Sequence, residues 1–320
     1  MAAAHAAAAA KAGPVAGGDG AGRRAPRGRV AAVLGRHPVG LLLAAPYAVF
    51  VAAVFAYPLG FAVWMSFHDY FFAAPGAVVD RPFVGLDNYR AVLTDPQVRQ
   101  AFGNIGVFLV INVPLTAGLA LLLAVALNKV VRARAFLRVA FYVPYVTASV
   151  AVVGVWLFLL NTDGLVNRVL GPLAPDPSWL VNEGLAMPVI AVFVAWKQLG
   201  FFILLYLAAL QNVPKELYES AAVDGASAWA RFRSVTVPAV RPATALVVIL
   251  ATITGANLFT EPYLLTGGGG PNGSSASPVL VMYQRGIQQG QPDVAAAIGV
   301  LLVIGVLVVS AINRRLLERD

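Results

Sequence analysis

No cysteine occurs among the 320 residues, and this absence excludes disulfide bonds and thiolate metal sites. Histidine is nearly as scarce, because His5, His37 and His68 are the three in the sequence and lie far apart, which argues against a histidine metal cluster. The glycine-rich phosphate loop that ends in Gly-Lys-Ser or Gly-Lys-Thr is also missing. Any nucleotide chemistry is therefore expected from another polypeptide.

Charged residues are few as well. They make up 12% of the chain, about half of the quarter that soluble domains carry, while 59% of the residues are apolar. This composition predicts an integral membrane protein. The formal charge of +8 is then better explained by cationic loops that fix the orientation in the bilayer than by nucleic-acid binding.

Six long apolar stretches follow an N-terminal segment rich in Ala, Gly and Arg. Residues 1–37 predict a disordered cytoplasmic tail, and not a signal peptide, because the first apolar stretch begins only near Pro38. Backbone groups inside lipid must pair within their own segment, so each stretch predicts a spanning helix. The sequence thus predicts an all-α integral membrane domain over residues 38–320, with spans near Gly40–Phe67, Phe102–Leu127, Val139–Leu160, Leu185–Leu210, Ala243–Leu265 and Val294–Ile312.

The distribution of Lys and Arg predicts the orientation. Six spans place both termini on one side, and the loops of that side hold 17 of the 23 basic residues, against five in the opposite loops. Basic residues accumulate in cytoplasmic loops. We therefore expect both termini, and the loop between spans four and five, on the cytoplasmic side of a bacterial plasma membrane.

That loop, residues 211–242, carries the most informative pattern of the chain. Asn212 and Pro214 suit the start of a helix, since Asn caps and Pro is tolerated in the first turn. Gly225 suits a left-handed helix end, and Ser227 can cap a second short helix. The loop therefore predicts a helix–turn–helix outside the lipid, which we call the 211–242 segment.

The second predicted helix carries an apolar stripe. Trp229, Phe232 and Val235 recur every third residue, and Arg231 and Arg233 flank them. Such a stripe fits a docking surface for a partner, an amphipathic hairpin on the lipid headgroups, or packing against the other helices. The physical pattern alone leaves these alternatives open.

The spacing of the same residues resembles a known signature. Permease subunits of binding-protein-dependent ATP-binding-cassette importers carry Glu-Ala-Ala, three residues, Gly, nine residues, Ile, any residue and Leu-Pro. This chain matches that spacing, with Ser220 for Ala and with Val235 and Val237 for Ile and Leu, in Glu219-Ser220-Ala221, Gly225, Val235 and Val237-Pro238. Two further segments, Phe83–Tyr89 and Thr266–Pro271, are similar to carbohydrate-uptake permeases of type 1 related to the larger maltose-transporter permease.

The resemblance implies the partners and the coupling residues. It implies a heterodimer with a second permease, a cytoplasmic ATPase dimer that binds ATP and magnesium, and an extracytoplasmic solute-binding protein. This chain would hold no cofactor and catalyse no reaction. The residues of the ATPase-coupling loop would be Glu219, Ala221, Asp224, Gly225, Val235 and Pro238, and the first four would lie in the element that enters a cleft on the ATPase.

Polar residues inside the spans predict where a solute passes. Lys197 and Gln198 interrupt the fourth span, and ionisable residues at such depth usually face a cavity or a partner. Asn257 and Glu261 are spaced with Thr254 along one face of a continuous fifth helix, with Tyr263 nearby. These groups suit sugar hydroxyls and rings, or they join helices by hydrogen bonds, and both interpretations bury the same residues.

Two other classes of function compete with the importer. An ion-gradient-driven transporter or channel acting without an ATPase often has ten or more spans or internal repeats, and no convincing repeat is visible. A membrane-embedded enzyme needs convergent catalytic groups, and the spans offer no carboxylate pair and no histidine dyad.

Overall fold

The computed structural model describes residues 38–129 and 134–317, so the predicted tail at 1–37 lies outside the described residues. Within these ranges the regular secondary structure is helical, apart from one isolated β-bridge between His68 and Phe83. The helices are α1 Pro38–Val51, α2 Tyr57–Ser66, α3 Asp87–Thr94, α4 Pro96–Lys129, α5 Arg134–Val146, α6 Ser149–Leu160, α7 Leu165–Leu170, α8 Ala186–Gln211, α9 Lys215–Val223, α10 Ala228–Arg231, α11 Val237–Ala239, α12 Arg241–Ala256, α13 Thr260–Leu265, α14 Pro278–Tyr283 and α15 Pro292–Leu317.

The chain divides after Pro58 into two compact units. The described part of the first unit consists of α1, a π-helical turn, Ala52–Ala56, and the first two residues of α2. Its apolar side chains, such as Leu43 and Val49, are exposed. Exposed apolar side chains on a helix are expected where lipid is the solvent.

Helices α4 and α8 form the centre of the second unit. Small residues on α4, Ala120 and Ala124, are fully buried against Phe202 and Ile203 of α8. Small side chains let two helix backbones approach closely, which is how helices associate where no hydrophobic effect drives them together. Helix α5 also approaches α8 closely, because a side-chain carbon added at Gly200 would lie 2.2 Å from the carbonyl oxygen of Phe141.

Five helical stretches of the described residues are long and apolar enough to cross a membrane: Leu43–Ser66, Pro96–Lys129, Ser149–Leu173, Ala186–Gln211 and Pro292–Arg315. Helix α12 is apolar too, and it counts as a sixth span by length and composition only when it is taken together with the helices from Ala228 onward, which meet it at a bend of 68°. The predicted all-helical membrane fold is therefore confirmed.

Two of the predicted spans are broken. The third was expected as one helix over Val139–Leu160, but α5 ends at Val146 and α6 begins at Ser149. The fifth was expected to run to Leu265, but α12 ends at Ala256 and the short helix α13 follows.

Pro262 explains the second break. In a continuous helix its backbone nitrogen would face the carbonyl of Leu258, but proline has no N–H to donate. The Leu258 carbonyl instead accepts a hydrogen bond from the hydroxyl of Ser277 in the glycine-rich loop. Irregular backbone at membrane depth is tolerated when protein groups satisfy it in this way.

Candidate functional site

The 211–242 segment turns sharply at Gly225. Helix α9 ends at Val223 with Asp224 as its C-cap, and Gly225 has φ +76°, the left-handed conformation predicted for it. The N–H of Gly225 donates to the carbonyl of Ala222 at 3.1 Å, and the N–H of Ala226 donates to Ala221 at 2.9 Å. This pair of bonds is a Schellman motif, which closes a helix and directs the chain away from its axis.

The start of α9 differs from the prediction. Asn212 does not cap it, because Asn212 ends α8 and its side-chain amide donates to the carbonyl of Ala208 at 3.1 Å. Pro214 precedes the first helical residue and has extended backbone, with ψ 134°. A short link therefore separates α8 from α9, and no side chain caps α9 at its start.

The second arm of the 211–242 segment begins as predicted. The hydroxyl of Ser227 accepts a hydrogen bond from the N–H of Ala230 at 3.2 Å and so caps α10. The Tyr218 and Thr236 hydroxyls lie 3.1 Å apart and join the two arms. A direct contact thus holds the two arms together.

Apolar side chains of the 211–242 segment are left uncovered by the described chain. Val223 is 89% exposed and Trp229 is 68% exposed, with its ring stacked on Phe232 at 5.3 Å between centroids. Of the predicted coupling residues, Ala221 and Val235 are half-buried, and the exposed ones are Glu219, Asp224, Gly225 and Pro238. A surface that combines carboxylates, a bare turn and large apolar groups is suited to contact another protein.

Lys197 makes a polar network inside the second unit. Its ammonium Nζ donates to the hydroxyl of Ser149 at 2.6 Å and lies 3.3 Å from Glu261 Oε1. The Lys197 and Glu261 side chains are only 13% and 12% exposed. Lys197 therefore does not extend to water as an isolated charge; its charge is compensated within the protein.

This network connects the two broken spans. Ser149 is the first residue of α6, directly after the break in the third span, and Glu261 lies in the first turn of α13, directly after the break in the fifth. Lys197 reaches both from the continuous helix α8. The sequence reasoning missed Ser149, because a serine within an apolar run carries no signal of its own.

The expected polar face of the fifth span does not form. Asn257 ends α12, and its amide donates to the carbonyl of Ile253 at 2.8 Å, whereas Glu261 belongs to α13. The prediction that these residues share one helical face is wrong, because it assumed an unbroken helix. Gln198 is half-buried, and its Oε1 has no hydrogen-bond partner among the described residues.

Tyr263 belongs to an aromatic cluster beside this break. Its ring stacks on Phe259 at 5.4 Å between centroids and meets Tyr283 edge-on at 5.9 Å. Phe259 and Tyr283 also line an open groove of about 420 Å³, together with Phe72. The structure thus separates the predicted solute residues into an ion-paired group around Lys197 and an aromatic group around Tyr263.

Comparison with known proteins identifies the family. Residues 116–320 match the family described as "binding-protein-dependent transport system inner membrane component". The chain is 34% identical over 280 residues to the arabinooligosaccharides transport system permease protein AraP of Bacillus subtilis, covering 86% of this chain and 87% of that protein. It is 32% identical over 272 residues to the trehalose/maltose transport system permease protein MalF of Thermococcus litoralis, covering 84% and 90%.

Solved structures support the fold. A chain of a bacterial ABC transporter involved in the import of the acidic polysaccharide alginate superimposes with a TM-score of 0.73 at 22% identity, over 91% of this chain and 99% of that one. A second alginate transporter structure, in complex with an alginate pentasaccharide-bound periplasmic protein, gives 0.74 at 22% identity, over 90% and 98%. The helical bundle, the exposed 211–242 segment and these similarities show that the chain belongs to the family of inner-membrane permease components of binding-protein-dependent ABC importers.

Proposed function

We propose that this permease carries a carbohydrate, that it pairs with a second permease to form the path, and that the 211–242 segment docks on a cytoplasmic ATPase. The observation that carries the proposal is the exposed helix–turn–helix itself. It is closed at Gly225 and held by its own contacts, yet its large apolar side chains are uncovered by the described chain.

The docking role follows from the composition of that surface. Burying an apolar side chain gains about 25 cal/mol per Å² of surface removed from water. Val223 and Trp229 are therefore favourable contacts for a partner, and the carboxylates of Glu219 and Asp224 supply charged contacts beside them. The bare turn at Gly225 lets a partner approach the backbone.

The segment is also placed to transmit motion. Its second arm leads through α11 into α12, and the bend of 68° lies at this junction. A force on the arm reaches α12, which packs against α4, α8 and α15. ATP-driven closure of the ATPase would thus move the helices that surround the path, while ATP and magnesium bind only to the ATPase.

The carbohydrate class rests on the relatives and on the aromatic group. The matched permeases are named for arabinooligosaccharides and for trehalose and maltose. Sugar rings present apolar faces that stack on aromatic side chains, and Phe259, Tyr263 and Tyr283 offer such faces beside the broken fifth span. Asn257 is exposed there and offers an amide to hydroxyl groups, while Lys197, Gln198 and Glu261 lie deeper.

The orientation follows from the charge distribution of the loops. The side that carries the 211–242 segment holds most of the basic residues, so we place it, with both termini, in the cytoplasm. The glycine-rich loop 266–277 then faces outward, where a binding protein delivers the solute.

ATP-dependent uptake tests the proposal. Proteoliposomes should accumulate labelled maltose or an arabinooligosaccharide only when the permease is reconstituted with its second permease, its ATPase, its binding protein and ATP. Asn257→Ala should lower the transport rate of the complete system. Uptake by this chain alone, driven by an ion gradient, would refute the importer function.

A further inference from the structure

A pocket of about 310 Å³ lies where the 211–242 segment meets the ends of α4 and α8. We call it the basic pocket, and its lining combines cationic, hydrogen-bonding and apolar side chains: Val125, Asn128, Lys129, Leu210, Tyr218, Ala228, Arg231, Phe232 and Thr236. It involves the ends of the spans as well as both arms, and its lining includes none of Glu219, Val223, Asp224 and Trp229. It is therefore distinct from the surface proposed to dock the ATPase.

Two cations face this pocket without a carboxylate partner. Over residues 38–129 and 134–317, neither Lys129 nor Arg231 takes part in an ion pair such as Lys197–Glu261 or Arg285–Asp95. No acidic side chain is among the lining residues of the described chain. Positive charge is thus concentrated in a recess whose remaining polar side chains are the amide of Asn128 and the hydroxyls of Tyr218 and Thr236.

We propose that the basic pocket binds a phosphate group, carried either by an anionic phospholipid or by a soluble phosphate ester. Guanidinium groups bind phosphate oxygens through two parallel hydrogen bonds, and an ammonium adds a point charge. The apolar walls at Val125, Leu210 and Phe232 suit the glycerol and first acyl carbons of a lipid. Basic pockets between spans near the cytoplasmic surface are known to suit anionic headgroups.

The position of the basic pocket means that a bound phosphate would affect the coupling between the ATPase and transport. A phosphate held by Lys129 at the end of α4 and by Arg231 in the second arm would bridge the bundle and the moving segment. This consequence rests on the proposed function, but binding itself does not. A phosphate bound in the basic pocket would restrict the movement of the second arm and so alter the coupling of ATP hydrolysis to transport.

Lipid retention in nanodiscs tests the inference with the full permease. Wild-type protein is placed in nanodiscs of phosphatidylcholine containing phosphatidylglycerol, and tightly held lipid is counted by native mass spectrometry during a titration. Replacing both cations, in Lys129→Gln/Arg231→Gln, should weaken binding about 30-fold, which corresponds to about 2 kcal/mol at about 1 kcal/mol for each basic side chain. Arg233→Gln, an exposed cation of the same arm outside the lining, should bind like the wild type.

A second part of the experiment distinguishes between the two sources of phosphate. In phosphatidylcholine nanodiscs, glycerol phosphate is titrated and its binding is measured by calorimetry. If glycerol phosphate binds and also displaces phosphatidylglycerol, the natural ligand is soluble; if only the lipid binds, it is a headgroup. Either result supports the proposal, provided that the double variant loses the binding.

A variant that keeps both charges distinguishes a loss of phosphate binding from a folding defect. Ala228→Trp fills the recess, and it should lower binding in a permease whose thermal unfolding matches the wild type. Equal binding by wild type, Ala228→Trp and the double variant would overturn the inference. A permease that binds phosphate through these residues but never docks an ATPase would refute the proposed function and leave this inference standing.

Discussion

Removing the charge of Lys197 should destabilise the permease strongly, because Glu261 would be left as a buried carboxylate without its cation. At 3.3 Å between Nζ and Oε1, Coulomb's law gives an attraction of about 5 kcal/mol at an effective dielectric constant of about 20. Breaking such a buried pair by removing one partner typically costs about 3–5 kcal/mol. We therefore expect Lys197→Met to lower the free energy of unfolding by about 3 kcal/mol.

Replacing both partners should cost much less. In Lys197→Met/Glu261→Gln no charge remains to be desolvated, and exchanging a buried pair for neutral groups is often near neutral. The double variant should therefore regain most of the stability that Lys197→Met loses, within about 1 kcal/mol of the wild type. Unfolding by SDS in mixed micelles, followed by tryptophan fluorescence, measures the four proteins of this double-mutant cycle.

The pair Arg285–Asp95 provides the control. It is more exposed, at 23% and 21% of the side chains, so water compensates more of the loss when one partner is removed. Arg285→Gln should cost less than Lys197→Met. Additive effects of Lys197→Met and Glu261→Gln would show that these two side chains do not interact, and the account of the broken spans would fail.

Three further substitutions test local features of the structure. Gly200→Ala should lower the free energy of unfolding by about 1–3 kcal/mol, because its new carbon would lie 2.2 Å from the Phe141 carbonyl oxygen. Gly154→Ala, whose new carbon meets open space, should match the wild type. Equal free energies of unfolding for the two variants would contradict the close packing of α5 on α8. Gly225→Val should impair ATPase stimulation, because it forces a branched residue into φ +76°. Gly225→Asn, whose residue type tolerates that φ, should impair stimulation less, and an active Gly225→Val would argue against the turn. Trp229→Ala should leave the free energy of unfolding unchanged but weaken ATPase binding at least tenfold in a surface-immobilised assay, since an exposed aromatic is a common hot spot of protein interfaces. An unchanged affinity for the ATPase would show that Trp229 is not part of the interface.

The sequence predicts those features that depend on neighbouring residues. Apolar runs determine spans because lipid leaves backbone groups no other partner. The turn at Gly225 and the cap at Ser227 were likewise predictable, since both depend on residue type within a few positions. Asn212 was misassigned because the end of α8 and the start of α9 compete for it, and the pattern does not decide between them.

The breaks in two spans depended on contacts that are distant in sequence. Between α5 and α6 the chain is joined to α8 through Ser149 and Lys197, which are 48 positions apart. At the end of α12 the freed carbonyl of Leu258 is satisfied by Ser277. Pro262 was the available signal for the second break, but apolar residues on both sides favoured a continuous helix. Asn257 and Glu261 were consequently predicted to share one face of a continuous helix, whereas the structure places them on either side of a break.

Site-specific photo-crosslinking tests the central claim most directly. A photoreactive amino acid at Val223, which is 89% exposed beside the turn, should crosslink this permease to the ATPase in membranes. The crosslink should be stronger when ATP is trapped in the ATPase dimer. The same probe at Val181, which is 58% exposed in the connection between α7 and α8, should give no ATPase product. An ATPase crosslink from Val181 but none from Val223 would contradict the assignment of the 211–242 segment as the coupling element.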